Sequence, residues 1–201
     1  MANTGVRPSI WTPANIVTCV RVAGVPLWLL AAQVLPASDG STLGVGALVT
    51  LVLFAVLSLT DTLDGYLARS RNEVTDFGKF LDPIADKLVV IVALCFLLEV
   101  GMVSSWVLLV VVAREFLVSG LRMVVASKGE VVAANNLGKA KTAVTMVAIC
   151  VLLLERALPV GGFLDVVTVV GTVSLWAAVI LTIWSGAVYF LQCWPYVNGT
   201  R

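Results

Sequence analysis

Histidine is absent from the 201 residues, and only 12% of them carry a charge. The first absence excludes a histidine general base, a Ser-His-Asp arrangement and every zinc site that needs imidazole. The second leaves about half the charged share of an ordinary soluble domain, while 60% of the residues are hydrophobic and the mean hydropathy is +1.03. Too little polar surface remains to meet water, so lipid is the solvent this composition implies. No basic arm or stripe is present and the formal net charge is +1, which excludes a general nucleic-acid binder. The four cysteines, Cys19, Cys95, Cys150 and Cys193, lie far apart and mostly within apolar runs. Their spacing fits neither a metal knuckle nor a secreted disulfide framework, and at least three read as small buried hydrophobes. Chemistry must therefore rest on Asp, Glu, Arg, Lys and hydroxyl groups.

Apolar runs are present at Ile16–Leu35, Leu43–Leu59, Ile84–Val100, Trp106–Ala126, Ala143–Leu158 and Val166–Leu191. Each approaches the roughly 20 residues that span a hydrocarbon core as helix. The expectation is an all-α integral membrane protein with six transmembrane helices and a short N-terminal interfacial helix. Residues 1–15 would form the cytoplasmic or interfacial segment, and 16–201 the membrane domain. Thr12 suits a helix cap and Pro13 the first helical position, while Ile10 and Trp11 suit the interface. The first run lacks a convincing signal-peptidase site and is followed by five more, so it reads as a span.

Charge assigns the sides. Arg7, Arg21, Arg69, Arg71, Lys79, Lys87, Arg114, Arg122, Lys128, Lys139, Lys141 and Arg201 fall near the ends shared with the N-terminus. Arg156 alone falls at the other ends, among Asp39, Glu99, Glu155 and Asp165. The positive-inside rule then places both termini in the cytoplasm, together with any site built near the first group.

The second run leads straight into Asp61-Thr62-Leu63-Asp64, and the fourth-spaced pair Asp82 and Asp86 opens the third run. On helices, each pair lies one turn apart on one face. Pro83 fits near the first turn of the latter helix. Two antiparallel helices joined by a short loop can bring the faces together. Four carboxylates at a membrane boundary would repel one another and are costly to dehydrate singly. Divalent ions remove that difficulty, and an all-oxygen donor set suits Mg²⁺ or Mn²⁺, with room for two ions. The small residues Gly65, Ala68 and Gly78 allow close approach of a helix or a bulky ligand. A divalent-cation transporter would spread its carboxylates along a path to both faces, whereas here they gather at one boundary beside cations.

The string Asp61-x2-Asp64-Gly65-x2-Ala68-Arg69-x8-Gly78-x3-Asp82-x3-Asp86 resembles the signature of the CDP-alcohol phosphotransferase family in every fixed residue and spacing. The resemblance implies a helical membrane enzyme, commonly homodimeric, that moves a substituted phosphate from a CDP-linked donor to an alcohol and releases CMP. Carried over, it makes Asp61, Asp64 and Asp82 the principal metal ligands. It places Asp86 beside the second metal and the incoming hydroxyl, as the catalytic base. It assigns Asp64, Gly65, Ala68, Arg69 and Gly78 to the cytidine nucleotide.

Further cations gather in Ala113-Arg114-Glu115, at Arg122, and in Gly138-Lys139-Ala140-Lys141. Arg114 and Arg122 are eight residues apart, on broadly the same side of a helix, with Glu115 the one acidic neighbour. The surplus suits an anionic acceptor, its phosphate gripped by guanidinium groups and by Lys139 or Lys141. These segments, with Thr12–Arg21 and Phe80–Lys87, resemble phosphatidylglycerophosphate synthases. That resemblance implies CDP-diacylglycerol as donor, glycerol 3-phosphate as acceptor and a bacterial-type inner membrane. Phosphatidylinositol-phosphate synthase and cardiolipin synthase are the alternatives within the family.

Overall fold

The computed structural model describes residues 12–71, 75–130 and 136–198, apart from the side chains of 14, 61–71, 76, 79 and 136. Six helices lie among them: α1 (Pro13–Val34), α2 (Val45–Arg71), α3 (Asp76–Glu99), α4 (Ser105–Ser127), α5 (Asn136–Glu155) and α6 (Gly162–Val197). The start of α1 is the one its sequence signals. Thr12 is the N-cap, its side chain accepting from the Asn15 N–H at 3.3 Å, and Pro13 follows where no donor is needed. The interfacial residues Ile10 and Trp11 lie outside the described residues.

Helix α3 begins earlier than expected. Thr75 caps it by accepting from the Gly78 N–H at 3.0 Å, so the helix is already formed at Asp76 and Pro83 lies inside it. Asp82 and Asp86 consequently project from established helix and not from its first turn.

Successive helices run in opposite directions, giving the bundle a polar end and an apolar body. In the body, Trp28 packs against Phe54 and Phe96, each with ring centroids 5.7 Å away, and its indole N–H donates to the Thr50 carbonyl at 2.9 Å. Ala93, Leu94, Leu97, Ile149 and Leu153 complete this core around α3 and α5. At the far end the α1–α2 connection is sewn to the α5–α6 connection. There Ser38 N–H donates to Arg156 O, Gly44 N–H to Ala157 O and Val160 N–H to Gly40 O, at 2.8 to 2.9 Å. Asp39 closes the first connection by accepting from the Thr42 and Ser41 amides, which hold its pKa down at about 2.

The expectation of six crossings is corrected. Among the described residues, three helices are long and apolar enough to cross a membrane: Asn15–Val34, Leu137–Glu155 and Gly162–Val197. The apolar part of α2, Val45–Thr60, is shorter. Charge interrupts the other two, with Asp82, Asp86 and Lys87 in α3 and Arg114, Glu115 and Arg122 in α4. Each such group at mid-bilayer costs on the order of 3 kcal/mol, so counting apolar runs overstated the number of crossings. Large apolar side chains still face outward, Leu27, Leu30 and Val34 on α1 and Trp176, Ile180 and Trp184 on α6 among them. A surface of that kind belongs to a membrane protein.

Burial of the cysteines also departs from expectation. All four are free thiols; Cys193 is buried, Cys19 and Cys150 are half-buried, and Cys95 faces outward.

The far-end connection makes a steric prediction. A Cβ on Gly44 would lie 2.4 Å from the Ser38 nitrogen and 2.7 Å from the Ala37 carbonyl carbon, both backbone atoms that cannot swing aside. Gly120, on α4, has nothing within 4 Å of such a Cβ. Gly44→Ala should destabilise the protein by about 1–3 kcal/mol, whereas Gly120→Ala should be neutral or stabilising by up to about 1 kcal/mol. Thermal unfolding in detergent checks both, and equal midpoints for the two variants would contradict the packing.

Candidate active site

A polar stripe on α1 builds one side of the polar end. Asn15, Thr18 and Arg21 recur at three-residue intervals, all buried, and the same face continues as Val25, Trp28 and Ala32. Their partners are the N-cap of α3 and two residues one turn apart further along it. The Asn15 amide donates to Thr75 Oγ1 at 2.7 Å. The Thr18 hydroxyl donates to Asp82 Oδ1 at 2.9 Å. Arg21 Nη1 stands 2.6 Å from Asp86 Oδ1, while its Nε donates to Thr60 Oγ1 at 3.2 Å. Arg21 is only 1% exposed, whereas the Asp86 side chain is 44% exposed. The carboxylate therefore looks out from the bundle while its partner is locked inside.

Thr60 immediately precedes Asp61, and α2 continues as helix through Asp64, Gly65, Ala68 and Arg69 to Arg71. The one-turn spacing of Asp61 and Asp64 on a continuing helix is thus as the sequence indicates. Their side chains, and those of Ala68 and Arg69, lie outside the described residues. Among the described residues no three acidic or sulfur side chains gather into a metal-holding group. The four-carboxylate cluster therefore stays a reading of the motif, with Asp82 and Asp86 as its described half.

Gly78 allows the close helix approach that its small size suggests, and the neighbour is Asn15 of α1. A Cβ there would fall 2.6 Å from Asn15 Oδ1 and 3.3 Å from Thr75 Oγ1. A bare Cα at this position lets the polar start of α1 lie against α3.

The second charged group forms across α4, α5 and α6. One oxygen of Glu115 faces both cations, Lys141 Nζ at 2.6 Å and Arg114 Nη1 at 3.0 Å. Arg114 Nη2 donates to Ser185 Oγ at 3.3 Å, and its buried Nε has no partner among the described residues. Gly186 makes room for this side chain, since a Cβ there would fall 3.1 Å from Arg114 Cγ. Lys87, next to Asp86, donates to Ser119 Oγ, which in turn donates to the Glu115 carbonyl at 2.7 Å. That short chain of contacts joins the two charged groups.

Of the four expected acceptor-binding cations, the structure brings together Arg114 and Lys141. Arg122 is exposed, its guanidinium 5.5 Å from the Tyr189 ring centroid, and Lys139 is exposed on the first turn of α5. Arg21, Thr18, Asn15, Lys87, Ser119 and Ser185 were not singled out as site residues from sequence. A signal for the first three was available: polar residues at helical spacing inside an apolar run face something polar. No local pattern marks Ser119 or Ser185, whose partners come from other helices.

Comparison with known proteins finds similar sequences over most of the chain. The family model of the CDP-alcohol phosphatidyltransferases matches residues 11–184. The chain is 43% identical to a CDP-diacylglycerol–glycerol-3-phosphate 3-phosphatidyltransferase of Bacillus subtilis, covering 93% of this chain and 97% of the relative. It is 36% identical to a probable phosphatidylglycerophosphate synthase of Mycobacterium tuberculosis, covering 97% and 88%. A CMP-forming cardiolipin synthase of Oryza sativa is also 36% identical, covering 93% of this chain and 59% of the relative.

Glu115→Gln would leave Arg114 and Lys141, both largely buried, without their shared counter-charge. Stability should fall by about 3 kcal/mol or more. Arg122→Gln, which removes an exposed cation from an aromatic face, should cost under about 1 kcal/mol. Thermal unfolding of the two purified variants measures the difference; a Glu115→Gln midpoint equal to the parent's would mean the carboxylate neutralises nothing.

Proposed function

The chain belongs to the CDP-alcohol phosphatidyltransferase family, and on that premise we propose that it transfers the phosphatidyl group of CDP-diacylglycerol to glycerol 3-phosphate. The products are phosphatidylglycerophosphate and CMP. The observation that carries the acceptor is the Arg114–Glu115–Lys141 group: two cations on one carboxylate leave a net positive charge, and Arg114 Nε is a buried donor without a partner among the described residues. A phosphate-bearing acceptor supplies the missing charge and the missing acceptor atom together. Lys139 and Arg122 lie on the same two helices and extend the positive field toward solvent.

In the reaction, the acceptor hydroxyl oxygen bonds to the phosphatidyl phosphorus and the bridging P–O bond to CMP breaks. The hydroxyl proton passes to Asp86, a half-exposed carboxylate of α3 that is fixed from behind by Arg21. Gly65, Ala68, Arg69 and Gly78 hold the cytidine nucleotide along the α2–α3 side. The donor set Asp61, Asp64, Asp82 and Asp86 offers only carboxylate oxygens, which fits Mg²⁺ or Mn²⁺. Two ions held there would withdraw charge from the pyrophosphate and stabilise the leaving CMP phosphate. The basic end of the bundle, where the N-terminus of α1 meets the C-terminus of α2, faces the cytoplasm, where the water-soluble acceptor is found.

Cardiolipin synthesis, the activity named for the rice relative, is the second reading; with phosphatidylglycerol as acceptor, that lipid's phosphate would meet the same cations. Purified protein given CDP-diacylglycerol and, separately, glycerol 3-phosphate, inositol phosphate or phosphatidylglycerol decides between them. Glycerol 3-phosphate is expected to give phosphatidylglycerophosphate and stoichiometric CMP in Mg²⁺ or Mn²⁺, with none in EDTA. Asp82→Asn should lower turnover by about two orders of magnitude or more. Arg114→Ala should raise the glycerol 3-phosphate KM about a hundredfold, the roughly 3 kcal/mol of a desolvated charge-assisted contact. Product with only one of the other acceptors would replace the proposed reaction.

A further inference from the structure

Three polar side chains on α1 each engage a different position at the start of α3, in the same order along both helices. Asn15, Thr18 and Arg21 rise along α1 as Thr75, Asp82 and Asp86 rise along α3. The two family-motif carboxylates described here are each held, at Oδ1, by a donor from a helix that contributes nothing to the motif itself. The donors differ in kind. Thr18 offers a neutral hydroxyl that fixes the Asp82 rotamer without removing its charge. Arg21 is a buried cation whose planar fork reaches two helices, Asp86 on α3 and Thr60 on α2. Because Thr60 immediately precedes Asp61, a guanidinium bonded to Thr60 and Asp86 ties the end of the α2 apolar run to the carboxylate turn of α3.

We propose that Thr18 and Arg21 are positioning residues for the transfer reaction: α1 acts as a ruler that holds the α3 carboxylates, and the α2 segment carrying Asp61, at the spacing the metal and the donor substrate require. This rests on the reading of the site as a CDP-alcohol phosphatidyltransferase centre. Three observations support the ruler over plain packing. Arg21 is 1% exposed in an apolar run, where a leucine would pack at no cost in desolvation. Gly78 is bare where a Cβ would strike Asn15, so the approach of α1 to α3 is tight on both sides. Among the described residues the buried polar contacts between α1 and α3 also end at Arg21: beyond it the same face of α1 is Val25, Trp28 and Ala32 against the apolar core, and the later contact of Gln33 with Glu99 is exposed at the far end. Buried polar pairing between the two helices is thus gathered at the end that carries the carboxylates.

The test uses the purified full-length protein with two conservative variants. Thr18→Val keeps the shape and removes the hydroxyl; Arg21→Lys keeps the charge and removes the two-pronged reach. Binding of Mn²⁺ alone is followed by electron paramagnetic resonance, and kcat and KM are measured with CDP-diacylglycerol and glycerol 3-phosphate. Each variant should bind Mn²⁺ about tenfold more weakly or worse and lose at least as much in kcat. The glycerol 3-phosphate KM should stay near the parent value, and the Thr18→Val unfolding midpoint should stay near the parent's. Parent-like Mn²⁺ affinity and kcat in both variants would overturn the ruler, as would a raised acceptor KM at unchanged kcat. Should the parent make no phosphatidylglycerophosphate, the assigned reaction fails, and Mn²⁺ affinity still tests the ruler by itself.

Discussion

A guanidinium buried to 1% among apolar helices cannot stand alone, and Arg21 draws the structure around itself for that reason. Stripping a cation of water costs several kcal/mol, which only a close counter-charge and well-placed hydrogen bonds offset. Asp86 at 2.6 Å and Thr60 at 3.2 Å supply them, one from α3 and one from α2. Three helices are thereby tied at one end, and the turn carrying Asp86 is presented outward. The same reasoning governs the second group, where Glu115 holds Arg114 from its own helix and Lys141 from α5. Buried charge in this bundle is expensive, and the fold gathers it at the polar end.

The apolar remainder follows from that confinement. Trp28, Phe54 and Phe96 fill the body below the polar end, and the far-end connections close on one another through backbone hydrogen bonds. Close approach is arranged by glycine at two places that matter for the site. Gly78 admits Asn15 beside α3, and Gly186 admits the Arg114 side chain beside α6. In both cases a missing Cβ on one helix makes space for a polar group from another, so the glycines serve side-chain placement and not backbone conformation.

Much of this was legible in the sequence, and the parts that were not have physical reasons. Composition fixed the all-helical, lipid-facing character, and the Thr12-Pro13 pair marked the start of α1. The aspartate string pointed to the family. The number of crossings was overstated because apolar runs were counted without weighing the charges inside α3 and α4. Pro83 suggested a helix start that Thr75 had already supplied further upstream. Arg21 was read as a boundary charge, since a sequence gives its residue type and position but not the Asp86 that faces it sixty-five residues later. Arg114 and Lys141 meet on Glu115, whereas Arg122 turns to Tyr189 of α6, which no local pattern connects to α4.

The central claim is that carboxylates from the end of α2 and the start of α3 converge on divalent metal beside Arg21. Anomalous diffraction from crystals of the protein grown with Mn²⁺ tests this most directly. Manganese peaks are expected among Asp61, Asp64, Asp82 and Asp86, with Thr18 and Arg21 still on the Oδ1 atoms they hold here. Manganese bound at Glu115, or bound nowhere between α2 and α3, would contradict it.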